Sequence, residues 1–276
     1  MALELLGLFA LGLVVGAYGT VIGAGGGFIL VPLLFLLYPG YGPEQVTAIS
    51  LAVVWANATS GSLAYARQRR IDYVTGSLLA LSSVPGVIAG AIVVHFVPER
   101  AFSVIFGSML LVLAAVSLRG RATQTVRPPL RGPGVLRRTI MDADGRTYRY
   151  AYDMRLAVAL SVAVGFVSSL FGIGGGVIHV PSMIILLHIP VQYSVATSHF
   201  VLAFMAGGGS LVHLIDGSLS GDQLVRAGAL ALGAVPGAQA GALVSHRLKG
   251  RNVLWLMAVA IVVLGVRLLV KGLLGY

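Results

Sequence analysis

The chain contains no cysteine and few charged residues. Without cysteine it forms no disulfide and has neither a thiolate metal site nor a cysteine nucleophile. Charged residues make up 10% of its 276 residues, whereas a soluble globular domain carries about 25%. Apolar residues make up 57%, and runs of about 20 of them, the length that crosses a bilayer, recur from end to end. The composition therefore predicts an all-α, polytopic membrane protein.

Acidic residues are scarce, and they are absent from the interior of every predicted span. All nine fall in predicted loops or at span ends: Glu4, Glu44, Asp72, Glu99, Asp142, Asp144, Asp153, Asp216 and Asp222. A charge at the bilayer centre costs at least about 3 kcal/mol, so it is retained there only for a function. Cation carriers and carboxylate proton relays usually retain one. The distribution argues against a metal or cation substrate and favours an anion pathway.

The 19 basic residues are concentrated in short segments. The largest group lies in residues 119–155, and smaller groups lie in 67–70 and 247–251. Because Lys and Arg mark the cytoplasmic loops of membrane proteins, we expect a cell-membrane protein with 119–155 as a cytoplasmic linker and with no nucleic-acid partner. Alternation around Asp144-Gly145 predicts a small β-hairpin in the linker. We interpret this hairpin as a solvated connector rather than a regulatory element.

An internal duplication divides the chain into two predicted membrane repeats, residues 1–118 and 156–276. Each copy contains, in the same order, a glycine-rich run, a proline five residues after it, an Ala-x-Ser motif, a second small-residue motif and a Val-Pro-Gly motif. These begin at Gly23, Pro32, Ala48, Ser60 and Val84, and again at Gly172, Pro181, Ala196, Gly208 and Val235. Such ordered matches are hard to obtain by chance. We expect about 4–5 helical segments in each repeat, with broken or short helices at the glycine motifs.

Corresponding loops of the two copies differ in charge. Loop 67–72 is basic, whereas its counterpart 216–222 has two acids and no base, and the next pair of loops reverses the contrast. Because Lys and Arg mark the cytoplasmic side, the copies are expected to have inverted topology. An inverted pair needs an odd number of crossings in each copy, which places both termini outside. Segments 28–38 and 177–188 are either short tilted spans or one arm of a broken helix.

The two glycine runs are the predicted substrate site. Transporters with inverted repeats bind substrate near the membrane midplane, where interrupted helices of both halves meet. Glycine permits a sharp turn and close approach to the main chain, and the positive start of a helix favours an anion. The candidate ligands are glycines and nearby polar residues of both copies: Gly25, Gly26, Gly27, Ser50, Asn57, Gly174, Gly175, Gly176, Thr197 and Ser198. In the alternative interpretation the glycines only allow close packing, and the hydroxyl groups only hold helices together.

Two histidines of the second copy are candidates for proton coupling. His179 follows the glycine run and His199 follows Ser198, and histidine titrates near neutral pH. The first copy has no histidine at either position, and a structural hydrogen-bonding role is the alternative. The pattern predicts no metal site and no cofactor.

The motif G-x-G-G-G-x-x-x-x-P in each copy, the following A-x-S motif, the basic central loop and the inverted second copy together resemble the sulfite exporter TauE/SafE family. The resemblance covers nearly the whole chain. It implies a secondary transporter that exports sulfite, organosulfonates or related small anions by alternating access. It also implies that 25–27 and 174–176 are the family's glycine motif and that Ser50 and Ser198 belong to its small-polar motif. Ile49 departs from that motif, in which threonine is commoner.

Other classes of function are weighed against the carrier. An anion channel or a structural membrane protein could also be built from symmetric broken helices, and saturable flux would distinguish a carrier from a pore. Ser210 and His213 lie three residues apart, as a Ser–His protease pair could, but no Gly-x-Ser-Gly signature accompanies them. We therefore expect no enzyme. The expected partners are a small anion and the lipid bilayer, and the chain could also form a homodimer.

Overall fold

The computed structural model describes residues 2–119, 133–141, 143, 145, 147–247 and 250–274. Within these residues the chain forms ten α-helices and one β-hairpin. In chain order they are α1 (Ala2–Ile22), α2 (Gly27–Leu37), α3 (Pro43–Arg67), α4 (Tyr73–Val93), α5 (Glu99–Arg119), β1 (Val135–Met141), β2 (Thr147–Asp153), α6 (Met154–Phe171), α7 (Gly176–Ile185), α8 (Val191–Ile215), α9 (Gly221–Arg247) and α10 (Gly250–Leu274). A short 3-10 turn, Val94–Phe96, follows α4.

Seven helices in the described part of the chain are long and apolar enough to cross a membrane: α1, α3, α4, α5, α6, α8 and α9. In contrast, α2 and α7 have only 11 and 10 residues. At about 1.5 Å per residue, each reaches roughly half of a 30 Å hydrocarbon core. The prediction of an all-α polytopic protein with short helices after the glycine runs is therefore confirmed.

The helices pair across the two predicted repeats. α1 packs along α9, α4 along α6, α5 along α10 and α3 along α8. Small residues allow this approach, since a Cβ on Gly86 would overlap the Val162 carbonyl group and one on Gly237 would overlap that of Leu13. Main chains are thus in direct contact, as small residues permit in membrane helices.

Contacting residues fix the relative directions of the helices. Along α3 and α8 they run in opposite order, since Gly61 meets His199 and Leu51 meets Gly209. In four other pairs the residue numbers of the contacting residues increase together, so the two helices are parallel. These pairs are α1 with α9, α3 with α9, α4 with α6 and α4 with α8. The helices α1, α3 and α9 therefore run in one direction, and α4, α6 and α8 run in the other.

Two ends of the bundle differ in charge. We call the end that holds loop 67–72 and the β-hairpin the basic end, and the end that holds loop 216–222 the acidic end. Both α1 and α9 begin at the acidic end, where Arg226 forms an ion pair with Glu4 (Nε to Oε1, 3.1 Å). The helix α10 finishes there too, with Lys271 2.7 Å from Glu99.

The hairpin of the linker docks on the basic end. Nη2 of Arg138 lies 2.8 Å from Oδ1 of Asp72, and the Tyr150 hydroxyl donates to the same carboxylate. Tyr152 is buried and its hydroxyl donates to Thr75 Oγ1 at 2.8 Å. The interpretation of the hairpin as a solvated connector was therefore wrong, because the tyrosines of one strand face cover the start of α4.

Asp72 anchors this contact as the N-cap of α4, where it accepts hydrogen bonds from the N–H groups of Val74 and Thr75. Burial raises the pKa of Asp72, but hydrogen bonds from Arg138, Thr75 and Tyr150 outweigh burial and hold the pKa below its usual value. The carboxylate is consequently charged, buried and paired.

Replacing Arg138 with alanine should undock the hairpin and lower the free energy of unfolding by about 3 kcal/mol, because the buried Asp72 carboxylate loses its paired charge. Thermal unfolding of the purified protein measures this. Arg137→Ala is the matched control, since Arg137 is exposed on the same strand. The difference from wild type should be present at neutral pH and shrink as the pH falls below 3.8, because the folded-state pKa of Asp72 is depressed. Equal unfolding temperatures for the two variants would contradict the docking.

Candidate functional site

The two glycine runs form the same sharp turn in the two predicted repeats. Gly26 and Gly175 precede α2 and α7 with φ angles of 86° and 85°. These angles lie in the left-handed region, which glycine adopts without the steric cost of a Cβ. Each turn joins a membrane-length helix to a short one, as the glycine pattern predicts.

The turns meet in the interior of the bundle. A Cβ on Gly27 would lie 2.6 Å from the carbonyl oxygen of Gly172, and one on Gly176 would overlap that of Gly23. The main chains of the two predicted repeats therefore touch at this point. All six glycines predicted as ligands are buried here: Gly25, Gly26, Gly27, Gly174, Gly175 and Gly176.

Two serines tie each turn to the other repeat. Ser50 Oγ on α3 donates to the carbonyl oxygen of Gly172 at 2.6 Å, and Ser198 Oγ on α8 donates to that of Gly23 at 3.0 Å. Both serines are completely buried. In this conformation these hydroxyl groups therefore latch the turns together.

Asn57 adds a polar chain on one side of the site. Its Nδ2 donates to the carbonyl oxygen of Gly25 at 2.8 Å, and its Oδ1 accepts from Thr20 Oγ1 at 2.8 Å. The Thr20 hydroxyl in turn lies 3.2 Å from His199 Nε2. The register that pairs Ser50 with Ser198 places Met205 opposite Asn57 in the second copy, so the polar chain has no symmetric partner. Sequence reasoning missed Thr20, although it is polar and lies three residues before the start of a glycine run.

Thr197 and His179 lie outside this contact. Thr197 Oγ1 accepts from the N–H of Asp72 at 3.0 Å, beneath the docked hairpin. One residue of α-helix turns the side chain by about 100°, so Thr197 and Ser198 point to different neighbours. His179 is buried on α7, with Nε2 3.4 Å from Ser161 Oγ. Of the two predicted coupling histidines, the structure brings only His199 to the polar chain.

Apolar side chains from α3 and α8 cover the turns. A Cβ on Gly25 would lie 2.6 Å from Leu202 Cδ2 and 2.9 Å from Val54 Cγ1, and a Cβ on Gly174 would meet the same two side chains. Val54 and Leu202 occupy corresponding positions of the two copies and belong to one buried cluster. We call this pair the apolar plug. The apolar plug covers the turns on the side that faces α3 and α8.

A cavity of about 820 Å³ opens on the far side of the plug, between α3 and α8. Its wall is mainly apolar, with the hydroxyl groups of Thr59 and Ser62 among its polar members. On α3, Trp55 and Thr59 line the cavity, whereas Val54 faces the turns. The two helices therefore form a wall between this cavity and the glycine turns.

Several carbonyl oxygens of the turns accept hydrogen bonds, whereas the N–H groups at the starts of the short helices do not donate any to the described residues. Three carbonyl oxygens accept from the serine and asparagine side chains described above. Within the described part of the chain, no residue accepts a hydrogen bond from the N–H groups of Gly26, Gly27, Gly175 or Gly176. Neither run nor its short helix contains an acidic residue. Free donors and two positive helix ends suit an anion.

Comparison with known proteins identifies a transporter family. The model of the family described as "Sulfite exporter TauE/SafE" matches residues 8–268. The chain is 33% identical over 272 residues to the probable membrane transporter protein YunE of Bacillus subtilis, covering 96% of this chain and 97% of that protein. It is 26% identical to YjnA of the same organism, covering 95% and 98%, and 26% identical to MJ0441 of Methanocaldococcus jannaschii, covering 75% and 71%. Both are also described as probable membrane transporter proteins. No solved structure matches the chain significantly.

Alanine at Gly27 or at Gly176 should force the two turns apart and lower the free energy of unfolding by about 1–3 kcal/mol, because a Cβ there meets main-chain atoms that side-chain rotation cannot move. Gly228→Ala in α9 is the control, since its Cβ meets nothing within 4 Å, and alanine favours helix. Thermal unfolding in detergent measures all three variants. If Gly27→Ala and Gly176→Ala unfold at the control temperature, the turns are not in main-chain contact.

Proposed function

Because this chain belongs to the sulfite exporter TauE/SafE family, we propose that it is a secondary transporter that exports small anions such as sulfite or organosulfonates. The substrate binds between the paired glycine turns. The protein works by alternating access and carries out no chemical reaction on its cargo.

The proposal rests above all on which main-chain groups of the turns are free to bind a ligand: N–H donors are free, whereas several carbonyl acceptors are already hydrogen-bonded. Carbonyl oxygens would coordinate a cation, but three of those in the turns, on Gly172, Gly25 and Gly23, already accept hydrogen bonds from side chains of α3 and α8. The N–H groups of Gly26 and Gly175 have no acceptor among the described residues. Sulfite and sulfonate groups carry oxygens that accept from N–H, so donors from both turns can hold one anion without a fixed positive side chain.

We further propose that the two copies are inverted repeats. The opposite directions of α1 and α6, of α3 and α8, and of α4 and α9 support this arrangement, as do the matching contacts that each copy makes with the other. In such carriers a central site is exposed alternately to the two sides of the membrane. Val54 and Leu202 must withdraw from the turns before an anion can enter, so motion of α3 against α8 opens the site.

The sidedness of the protein follows from its charges. The basic end carries loop 67–72 and the docked hairpin, and we propose that it faces the cytoplasm. The acidic end then lies outside, together with the start of α1 and the end of α10. Both termini are external in this orientation.

Purified protein in liposomes should exchange labelled sulfite or a sulfonate with saturable kinetics, and unlabelled anion inside should accelerate uptake.

Asn57→Asp places a carboxylate beside Gly25 with almost no change in shape. Like-charge repulsion at a buried site costs several kcal/mol, so the flux should fall by at least about a hundredfold.

The matched control is Gln68→Glu, the same amide-to-acid change at the end of α3, which should keep wild-type flux. Unfolding temperatures of both variants separate loss of transport from loss of fold. Flux that rises linearly with anion concentration would indicate a pore. Equal flux through Asn57→Asp and wild type would show that the anion does not bind at the glycine turns.

Single cysteines can test the sidedness, because the chain has none of its own. A membrane-impermeant maleimide added to intact cells should label Ser220→Cys and leave Arg69→Cys unlabelled until the membrane is permeabilised. The unsubstituted chain is the blank. Labelling of both cysteines from the same side would contradict the inverted arrangement and alternating access with it.

A further inference from the structure

Two histidines and an aspartate form a cluster at the acidic end, apart from the glycine turns. His95 lies in the 3-10 turn after α4, His213 lies in the last turn of α8, and Asp216 directly follows α8. One ligand atom from each residue lies within 4.8 Å of the others. The cluster joins elements of both predicted repeats, and the proposed transport mechanism does not use it.

Two of the three distances in the cluster match the edges of a metal-centred tetrahedron, and the third is at most 4.8 Å. Asp216 Oδ2 lies 3.4 Å from His95 Nε2 and 3.4 Å from His213 Nδ1. Zinc binds imidazole nitrogen and carboxylate oxygen at about 2.0–2.2 Å, and tetrahedral geometry then separates neighbouring ligand atoms by about 3.3–3.5 Å. An ion can therefore bind among the three atoms once the two imidazoles, which are at most 4.8 Å apart, close on it.

Neighbouring groups orient two of the ligands for this role. His95 Nδ1 lies 3.1 Å from the carbonyl oxygen of Ala91, so a proton on Nδ1 leaves the Nε2 lone pair directed into the cluster. Metal-bound histidines usually donate their other N–H in this manner. Oδ1 of Asp216 accepts from the N–H of Ser218 at 2.8 Å, which leaves Oδ2 for the ion.

His213 supplies an independent indication of a ligand. Its side chain is completely buried, and neither ring nitrogen makes a hydrogen bond with a described residue, although Nδ1 lies 3.4 Å from Asp216 Oδ2. A buried polar atom without a partner is unfavourable. An ion bound at Nδ1 would satisfy the ring on the side that faces Asp216.

We propose that His95, His213 and Asp216 bind one divalent transition-metal ion of the Zn²⁺ type at the acidic end. Ions such as Mg²⁺ and Ca²⁺ prefer oxygen ligands and suit two imidazoles poorly. The fourth position is taken by water or by Ser218, whose Oγ lies 3.1 Å from His95 Nε2. Because the ligands come from the ends of α4 and α8, a bound ion fixes these two helices to each other.

The test uses the full-length protein, freed of its affinity tag, stripped with a chelator and titrated with Zn²⁺ by calorimetry. Wild type should bind one ion per chain, and the Co²⁺ form should show the intense visible bands of a tetrahedral site. The exposed ligands are changed in His95→Gln and Asp216→Asn, which spare buried His213. Each should weaken binding at least tenfold and abolish the rise in unfolding temperature that Zn²⁺ causes.

His188→Asn is the matched control, because it removes a histidine at the basic end and asparagine tolerates the positive φ of 57° found there. It should bind Zn²⁺ as wild type does. Equal affinity in all four proteins, or no binding in wild type, would overturn the proposal. Since the readout is metal binding, this result is independent of whether the protein carries sulfite.

Discussion

Main-chain contact between the two glycine turns is the constraint on which the rest of the structure depends. Non-helical backbone at membrane depth is tolerated only where protein buries it and satisfies its polar groups. Here side chains of α3 and α8 satisfy one carbonyl oxygen in each turn, since Ser50 and Ser198 each reach the turn of the other copy. The close approach of the turns therefore requires α3 and α8 to cross beside them, and it determines which helix faces must be polar.

The free N–H groups at the starts of α2 and α7 have a chemical consequence. A pair of turns in which three carbonyl oxygens accept hydrogen bonds from side chains, and in which the N–H groups at the starts of two helices are free within the described residues, presents positive potential although no lysine or arginine lies there. The scarcity of acids in the spans and the free N–H groups at the turns both favour an anion over a cation, although they arise from different residues. The polar chain from Asn57 through Thr20 to His199 has no equivalent in the other copy, where Met205 takes the place of Asn57, so the two halves of the candidate site are not equivalent.

Sequence patterns anticipated those features that depend on local properties of the chain. Apolar runs predict spans because their length must match the bilayer, and the glycine runs predict turns because only glycine takes such φ angles freely. Contacts between residues that are distant in sequence could not be predicted from local patterns. Nothing local to Arg138 reveals that it pairs with Asp72, and the buried tyrosines of the hairpin look like ordinary strand residues. Thr197 was grouped with Ser198 because they are adjacent, but helical rotation directs it to the N–H of Asp72.

The packing also indicates which parts can move against each other. α1, α3 and α9 run together in one direction, and α4, α6 and α8 in the other, so each group mixes helices from both copies. α4 and α8 are joined at the basic end by the contact of Asp72 with Thr197 and at the acidic end by the histidine cluster. The Ser50 and Ser198 hydrogen bonds cross between the groups, whereas the bond from Asn57 to Gly25 stays within one. Relative motion of the groups would therefore break the two serine latches and withdraw the apolar plug together. In the proposed mechanism the freed hydroxyl groups then become donors for the anion, so the same serines hold the closed site and serve the open one.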